Sequence, residues 1–195
     1  MTLTRAASTY PHGRGACYEP AVNGFAIAGG RWRAVPVGEP ERAELLGLFQ
    51  ACEEFWRATE GRTPSGVQVD ELLHDLPPGR TPADKHVLGL RGPDGGLAGV
   101  LDVVRGYPAE TSWFIGLLLL APEVRGHGLG DAVCEGLEAF VRARGGEELR
   151  LAVLEQNAGA RRFWEQRGFV TVDSVRRTFG NLESVALRMA KPLVP

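Results

Sequence analysis

The stretch that decides the fold reads Leu118-Leu119-Leu120-Ala121-Pro122-Glu123-Val124-Arg125-Gly126-His127-Gly128-Leu129-Gly130. An apolar run leads into a glycine-rich turn, and apolar residues at helical spacing follow it. Alternate glycines let the backbone turn tightly and approach a ligand closely. The free N–H groups at a helix start favour a phosphate, and Arg125 can add a charge-assisted contact. The stretch therefore predicts a strand, a phosphate-binding loop and a helix.

The spacing of the glycines separates this loop from two common nucleotide-binding motifs. Gly126, Gly128 and Gly130 follow the pattern G-x-G-x-G, whereas the dinucleotide fingerprint is G-x-G-x-x-G. The Lys-Ser/Thr pair of a P-loop is also missing. A glycine-rich connector without a ligand is the alternative interpretation, and we favour phosphate binding over it.

Apolar periodicity on either side of the loop predicts alternating strands and helices. Strands are predicted at 32–37, 86–90, 97–104, 112–120, 149–154, 169–175 and 185–189. Helices are predicted from about 40 to 60, around 69–76, from 129 to about 144, and at 158–167. This order predicts one α/β domain, with a mixed central sheet of about six to seven strands flanked by helices on both faces.

The composition narrows the class of protein. The 195 residues are 44% hydrophobic and 24% charged, which suits a globular domain. A net charge of -2 without long runs of one sign argues against dedicated nucleic-acid or anionic-membrane partners. The three cysteines do not form a disulfide framework, and none stands near a histidine at metal-ligand spacing. We therefore expect a cytoplasmic protein without a metal, and a homodimer is left open.

The first 30 residues differ from the rest of the chain. They are rich in glycine and proline and show no sustained apolar period. We expect a flexible N-terminal extension at 1–30 that is dispensable for folding, followed by the domain at 31–195. The most apolar run, 113–122, is far shorter than the roughly 20 residues of a membrane span.

Two motifs resemble those of one enzyme superfamily. Arg125-x-x-Gly128-x-Gly130 resembles the R/Q-x-x-G-x-G/A signature of the GNAT superfamily of acyl-coenzyme A-dependent N-acetyltransferases. Residues 157–169, NAGARRFWEQRGF, resemble the family's N-x-x-A-x-x-F/L-Y-E-x-x-G-F. The resemblance covers roughly 35–191. It implies direct transfer of an acetyl group from acetyl-coenzyme A, as co-substrate, to a primary amine of a small molecule or peptide. A coenzyme-binding module that has lost catalysis is the alternative.

The resemblance also implies where the coenzyme binds. In the family, the strand before the loop binds pantetheine through its backbone N–H and C=O groups, which points to Leu118 and Leu120. Asn157 would meet the pantetheine, and Phe163 would pack on the coenzyme side. The implied set of binding residues is Leu118, Leu119, Leu120, Arg125, Gly126, His127, Gly128, Leu129, Gly130, Asp131, Asn157 and Phe163.

The sequence departs from the family at the general acid. Many members carry a tyrosine where this chain has Trp164, and that phenol can protonate the leaving thiolate. An indole N–H donates a hydrogen bond but is not a practical acid. Tyr107 is a substitute acid to consider, as is water. We favour the simpler interpretation, in which Trp164 is a packing residue and there is no dedicated acid.

The sequence also leaves several candidates for the general base. The strand at 113–118 offers no carboxylate, although family members often take a glutamate from it. Asp102 is the first candidate because it interrupts an apolar strand, but it could instead pair with Arg105. Glu53 is the second candidate, since Glu54 points away from the apolar stripe of its helix. Glu110, in the loop before the strand, is the third.

Overall fold

The computed structural model of the protein describes residues 3–5 and 24–193, and these ranges contain nine strands and five α-helices. The strands are β1 Leu3–Arg5, β2 Phe25–Ile27, β3 Trp32–Pro36, β4 Lys85–Arg91, β5 Leu97–Arg105, β6 Ser112–Leu120, β7 Glu148–Leu154, β8 Val170–Phe179 and β9 Leu182–Pro192. The helices are α1 Arg42–Ala51, α2 Glu53–Glu60, α3 Gly66–His74, α4 Leu129–Arg142 and α5 Ala158–Gln166.

All of these strands belong to one mixed sheet. Its spatial order is β2-β3-β4-β5-β6-β7-β9-β8, and β1 pairs separately with β6. Neighbouring strands are antiparallel except β6 and β7, which run parallel. The parallel pairing joins only Ser112–Ile115 to Glu148–Leu151. Beyond Ile115 the sheet opens into a gap between β6 and β7, and this gap lies directly before the glycine loop.

Helices cover both faces of the sheet and bury a separate apolar cluster on each. On one face, α1, α2 and α3 pack against side chains such as Val100 and Leu119. On the other face, α4 and α5 pack against Leu118 and Leu151. This arrangement confirms the predicted α/β domain with helices on both faces. The sheet has more strands than predicted because β1 and β2 are too short to produce a periodic pattern.

Strand β2 lies inside the segment that composition assigns to a flexible extension. Ile27 is 1% exposed, and the Phe25 ring lies 5.2 Å from the Phe140 ring. Full burial of a side chain such as Ile27 contributes about 1.5–3 kcal/mol to stability. Strand β2 therefore packs with the domain, although it lies before residue 31. The dispensability of residues 1–30 for folding stays a prediction. Residues 6–23 of the predicted extension lie outside the described residues.

The helix predicted from about 40 to 60 is broken into α1 and α2 at Cys52. The Cys52 backbone has φ -107° and ψ 30°, outside the helical range. Its thiol is buried and lies 3.4 Å from the carbonyl oxygen of Leu120 on β6. The break changes the phase of the helix, so α2 presents a different set of side chains to the sheet than one continuous helix would.

Across residues 24–193, every helix is too short or too polar to cross a lipid bilayer.

Candidate functional site

The glycine loop has the backbone geometry that its sequence predicts. Gly126 has φ +77° and Gly128 has φ +79°, and residues with a Cβ rarely adopt this backbone conformation. A Cβ added to either glycine would meet no atom within 4 Å, so the space beside the loop is open. Helix α4 begins at Leu129 without a side-chain cap. The N–H groups of its first turn, which have no acceptor within the helix, are available to a ligand.

A cleft opens over this helix start. Its lining consists of Leu120, Arg125, Gly126, Gly128, Gly130, Asp131 and Phe163. The absence of a side chain at Gly130 lets α4 approach α5, since a Cβ there would lie 3.2 Å from the Phe163 ring. Asp131 forms an ion pair with Arg167, whose guanidinium lies 3.5 Å above the Phe163 ring. Arg167 thus offsets the negative charge that Asp131 brings to the cleft.

Two other predicted residues of the loop have different surroundings. Leu129 is 6% exposed and belongs to the apolar cluster under α4, so its side chain packs in the core. His127 is exposed, as expected for a loop residue that faces solvent or a phosphate. Leu129 can therefore contact a ligand at the helix start through its backbone but not through its side chain.

Hydrogen bonding at the end of β6 determines which way Leu118 and Leu120 face. The N–H of Ala121 donates to the Ala98 carbonyl at 2.8 Å, which makes these two residues a hydrogen-bonded pair of the antiparallel β5–β6 ladder. Since hydrogen-bonded and non-hydrogen-bonded pairs alternate, Leu120 and Leu118 belong to non-hydrogen-bonded pairs. Their N–H and C=O groups therefore point away from β5, into the gap between β6 and β7.

Strand β1 lies in this gap. It pairs antiparallel with β6, with Leu3 opposite Leu118 and Arg5 opposite Leu117. It also runs close to β7. The edge of β6 that faces the gap therefore accepts an extended segment as a hydrogen-bonding partner.

The Arg125 side chain has a different environment from the predicted contact with a phosphate oxygen. Its Nε donates to the Leu120 carbonyl oxygen at 2.8 Å. Its Nη1 donates to Glu54 Oε1 at 2.7 Å, and its Nη2 donates to Cys52 Sγ at 3.1 Å. The guanidinium lines the cleft, but three of its N–H groups are directed to the end of β6 and the start of α2.

The second motif forms the turn into α5. Asn157 is the N-cap of α5, and its Oδ1 accepts a hydrogen bond from the Ala160 N–H at 3.1 Å. This capping bond gives Asn157 a local structural role besides the contact with pantetheine that the family resemblance implies. Phe163 is 7% exposed and forms one wall of the cleft.

Trp164 is completely buried behind that wall. Its ring packs edge-on against Phe163 and Phe169, with centroids 5.0 and 5.1 Å away. Full burial between two aromatic rings agrees with a packing role for this indole. Tyr107, the substitute acid, is only partly buried and packs against the Phe114 ring at 5.6 Å.

The three candidate bases are all engaged in ion pairs. Asp102 is buried, and its Oδ1 accepts a hydrogen bond from Lys85 Nζ at 2.9 Å, while Arg105 pairs with Asp84 instead. Glu53 pairs with Arg57 one helical turn away at 2.7 Å. The three carboxylates lie on separate elements.

Glu110 has a side chain that is 92% exposed, and its nearest basic group is Arg80 at 3.9 Å. Such an exposed position is typical of a surface carboxylate, as is the weak ion pair.

Sequence reasoning missed three residues of this region, namely Glu54, Cys52 and Lys85. The contact of Glu54 with Arg125 joins residues 71 positions apart, and the unpredicted break at Cys52 gives Glu54 its direction. Lys85 could have been found from the β4–β5 hairpin. It lies two residues before Val87, the partner of Asp102, and therefore on the same face of the sheet.

Comparison with known proteins places this geometry in a family. Residues 45–169 match the Acetyltransferase (GNAT) family. Mycothiol acetyltransferase from Beutenbergia cavernae is 32% identical over 143 residues, which make up 71% of this chain and 48% of that protein. The chain thus spans about half the length of this curated relative.

Solved structures of acetyltransferases share the fold. One from Chromobacterium violaceum, described as a probable acetyltransferase of the GNAT family, matches with a TM-score of 0.72 at 16% identity over 96% of each chain. Nourseothricin acetyltransferase matches with a TM-score of 0.50 at 30% identity, over 57% of this chain and 66% of its own. The family match over residues 45–169, which is more than half of the chain, shows that this chain belongs to the GNAT acetyltransferase family.

Proposed function

We propose that the protein transfers an acetyl group from acetyl-coenzyme A directly to a primary amine of a small molecule or peptide. One observation carries this proposal. The outward-facing backbone groups of Leu118 and Leu120 lie immediately before the glycine loop, so one extended ligand can pair with β6 and place its phosphates at α4. Pantetheine joined to a pyrophosphate has this shape and this order of groups.

The residues present suit such a donor. The open space beside Gly126 and Gly128 leaves room for a pyrophosphate against the N–H groups of α4. The Leu120 N–H points into the gap and can donate a hydrogen bond to the thioester oxygen, where negative charge develops during transfer. The acetyl group then passes to the amine without a covalent enzyme intermediate. The buried Cys134 is no nucleophile, because burial raises the pKa of its thiol.

The acceptor must lose a proton before it attacks. At pH 7 an amine with the basicity of lysine is protonated, and neutralising it costs roughly 4.6 kcal/mol. Because Asp102 and Glu53 are both held in ion pairs, we propose that the amine loses its proton to water or arrives neutral.

The proposed setting is the cytoplasm, where thiols such as those of Cys52 and Cys134 stay reduced. We propose no nucleic-acid or membrane partner, because the net charge is only -2.

A thiol-release assay tests the proposed function. Purified protein is mixed with acetyl-coenzyme A and a panel of amines: nourseothricin, the acceptor of mycothiol acetyltransferase, a peptide with a free amino terminus, and simple primary amines. We expect amine-dependent release of coenzyme A, with the acetylated amine identified by mass spectrometry. Calorimetric binding of coenzyme A without release for any amine would favour the alternative, a coenzyme-binding module that has lost catalysis.

Trp164 offers a test for the absence of a dedicated acid. We expect Trp164→Phe and Trp164→Tyr to keep turnover within about tenfold of the wild type, although each is destabilised by about 1–3 kcal/mol of lost packing. Trp113→Phe is the matched control, because Trp113 is equally buried in the same apolar cluster. A loss of 100-fold or more in Trp164→Phe at the stability of the control, about 2.7 kcal/mol in the barrier, would contradict the packing role.

A further inference from the structure

The Arg125 side chain joins the end of β6 to the start of α2. Its Nε, Nη1 and Nη2 atoms donate to the Leu120 carbonyl, to Glu54 and to Cys52 respectively, and the side chain is 15% exposed. A guanidinium is planar and presents its donors in a fixed fork. Three simultaneous hydrogen bonds therefore fix both the position and the orientation of the group.

The peptide unit between Leu120 and Ala121 is held at both ends. Its oxygen accepts hydrogen bonds from Arg125 Nε at 2.8 Å and from the Cys52 thiol at 3.4 Å. Its N–H donates to the Ala98 carbonyl at 2.8 Å. At this point β6 has already lost β7 as a neighbour, so Arg125 supplies the hydrogen bond that a strand would otherwise provide.

The charges around the guanidinium are balanced. The hydrogen bond from Arg125 lowers the pKa of Glu54, which keeps this carboxylate ionised beside the positive charge. Burial raises the pKa of Cys52, so its thiol stays protonated and can donate to Leu120. The pair of Arg125 and Glu54 adds little net positive charge to the cleft, whereas the N–H groups of α4 remain available for an anion.

We infer that Arg125 is a positioning residue, which holds the end of β6 so that the Leu120 N–H faces the acyl group of the donor. The phosphates of the donor are then bound by the backbone of the glycine loop and the first turn of α4. This inference rests on the proposed function, because that function assigns the acyl group to the gap beside Leu120.

Two variants and two donors separate this role from that of a phosphate ligand. Arg125→Lys keeps the positive charge but loses the fork, and Arg125→Gln loses both. Each is assayed with acetyl-coenzyme A and with S-acetylpantetheine, which contains no pyrophosphate. We expect both variants to lose about tenfold or more in kcat, by the same factor with either donor, because a misplaced N–H weakens transition-state stabilisation. Calorimetry should give a Kd for coenzyme A within about threefold of the wild type.

Matched variants control for structural effects. Arg142→Lys makes the same change at an arginine that also binds a carbonyl and a carboxylate, those of Leu193 and Glu138, and it should leave kcat unchanged. Glu54→Gln weakens the hydrogen bond that orients the Arg125 guanidinium. The Glu54 side chain is 60% exposed, so the protein should stay folded. We expect the substitution to lower kcat by about threefold with both donors.

Phosphate binding by Arg125 would give the opposite pattern. The Kd of coenzyme A would rise tenfold or more in Arg125→Gln and much less in Arg125→Lys, and the defect would vanish with S-acetylpantetheine. That pattern overturns the inference. If the Arg125 variants do not fold, an unchanged kcat in Glu54→Gln also overturns the inference. If the wild type acetylates no amine, the proposed function fails by itself, and the coenzyme A titration of Arg125→Gln still decides whether the guanidinium is a phosphate ligand.

Discussion

Gly128→Asp should weaken coenzyme A binding by at least about 100-fold in a folded protein. The new carboxylate would stand at the start of α4, where it would accept hydrogen bonds from the same N–H groups that we assign to the phosphates. It would also repel them. Two unit charges roughly 5 Å apart interact by about 3 kcal/mol at an effective dielectric constant of about 20, which matches a 100-fold change. Isothermal titration calorimetry with coenzyme A measures the effect.

Gly145→Asp is the matched control for this prediction. Gly145 has φ +74° and open space around its Cβ position, as Gly128 does, but it follows the other end of α4. Both substitutions place the same charged side chain at a glycine with a positive φ, but only the one at 128 lies beside the N–H groups that we assign to the phosphates. A folded Gly128→Asp protein with the affinity of Gly145→Asp would rule out the phosphate assignment.

Asp102→Asn should lower the free energy of unfolding by about 3–5 kcal/mol. The substitution leaves the Lys85 ammonium, whose side chain is 3% exposed, without its anionic partner in the interior. For a domain of this size, the melting temperature should fall by about 10 °C, since each kcal/mol corresponds to about 2–4 °C. Thermal unfolding followed by circular dichroism measures the change.

Two further variants serve as controls for the effect of Asp102→Asn. Glu44→Gln removes one carboxylate from an ion pair of the same length, 2.9 Å, on the surface, and should cost less than about 1 kcal/mol. The double substitution Lys85→Met/Asp102→Leu removes both buried charges and should recover most of the stability. If Asp102→Asn melts within about 2 °C of the wild type and yet loses its activity, Asp102 is a catalytic base and not a structural partner of Lys85.

The parts of the fold that sequence could predict are those with a local physical cause. The glycines at 126 and 128 encode positive φ angles, and both angles are present. The long apolar strands and the amphipathic α4 follow from periodicity within single segments. The order of the larger elements also follows from this periodicity, and the resemblance of two short motifs to a known family agrees with that order.

The features that sequence could not supply depend on contacts between distant segments. Asp102 and Arg105 are three residues apart on one strand and thus point to opposite faces, so the nearby arginine is the wrong partner. The correct one, Lys85, depends on the register of two strands. Similarly, Cys52 itself is neither a glycine nor a proline, and the break there coincides with a buried contact to Leu120 on β6 that the sequence does not reveal.

The pairing of β1 with β6 has a consequence for the affinity of the proposed donor. The edge of a strand can hydrogen-bond only one extended partner at a time, so the pantetheine arm that we propose to bind at Leu118 would have to displace β1. Because β1 is covalently attached, this competition is intramolecular and does not weaken on dilution. In the proposed binding mode, the affinity for coenzyme A includes the free energy of separating Leu3–Arg5 from β6, and we expect a chain that begins at residue 24 to bind the donor more tightly.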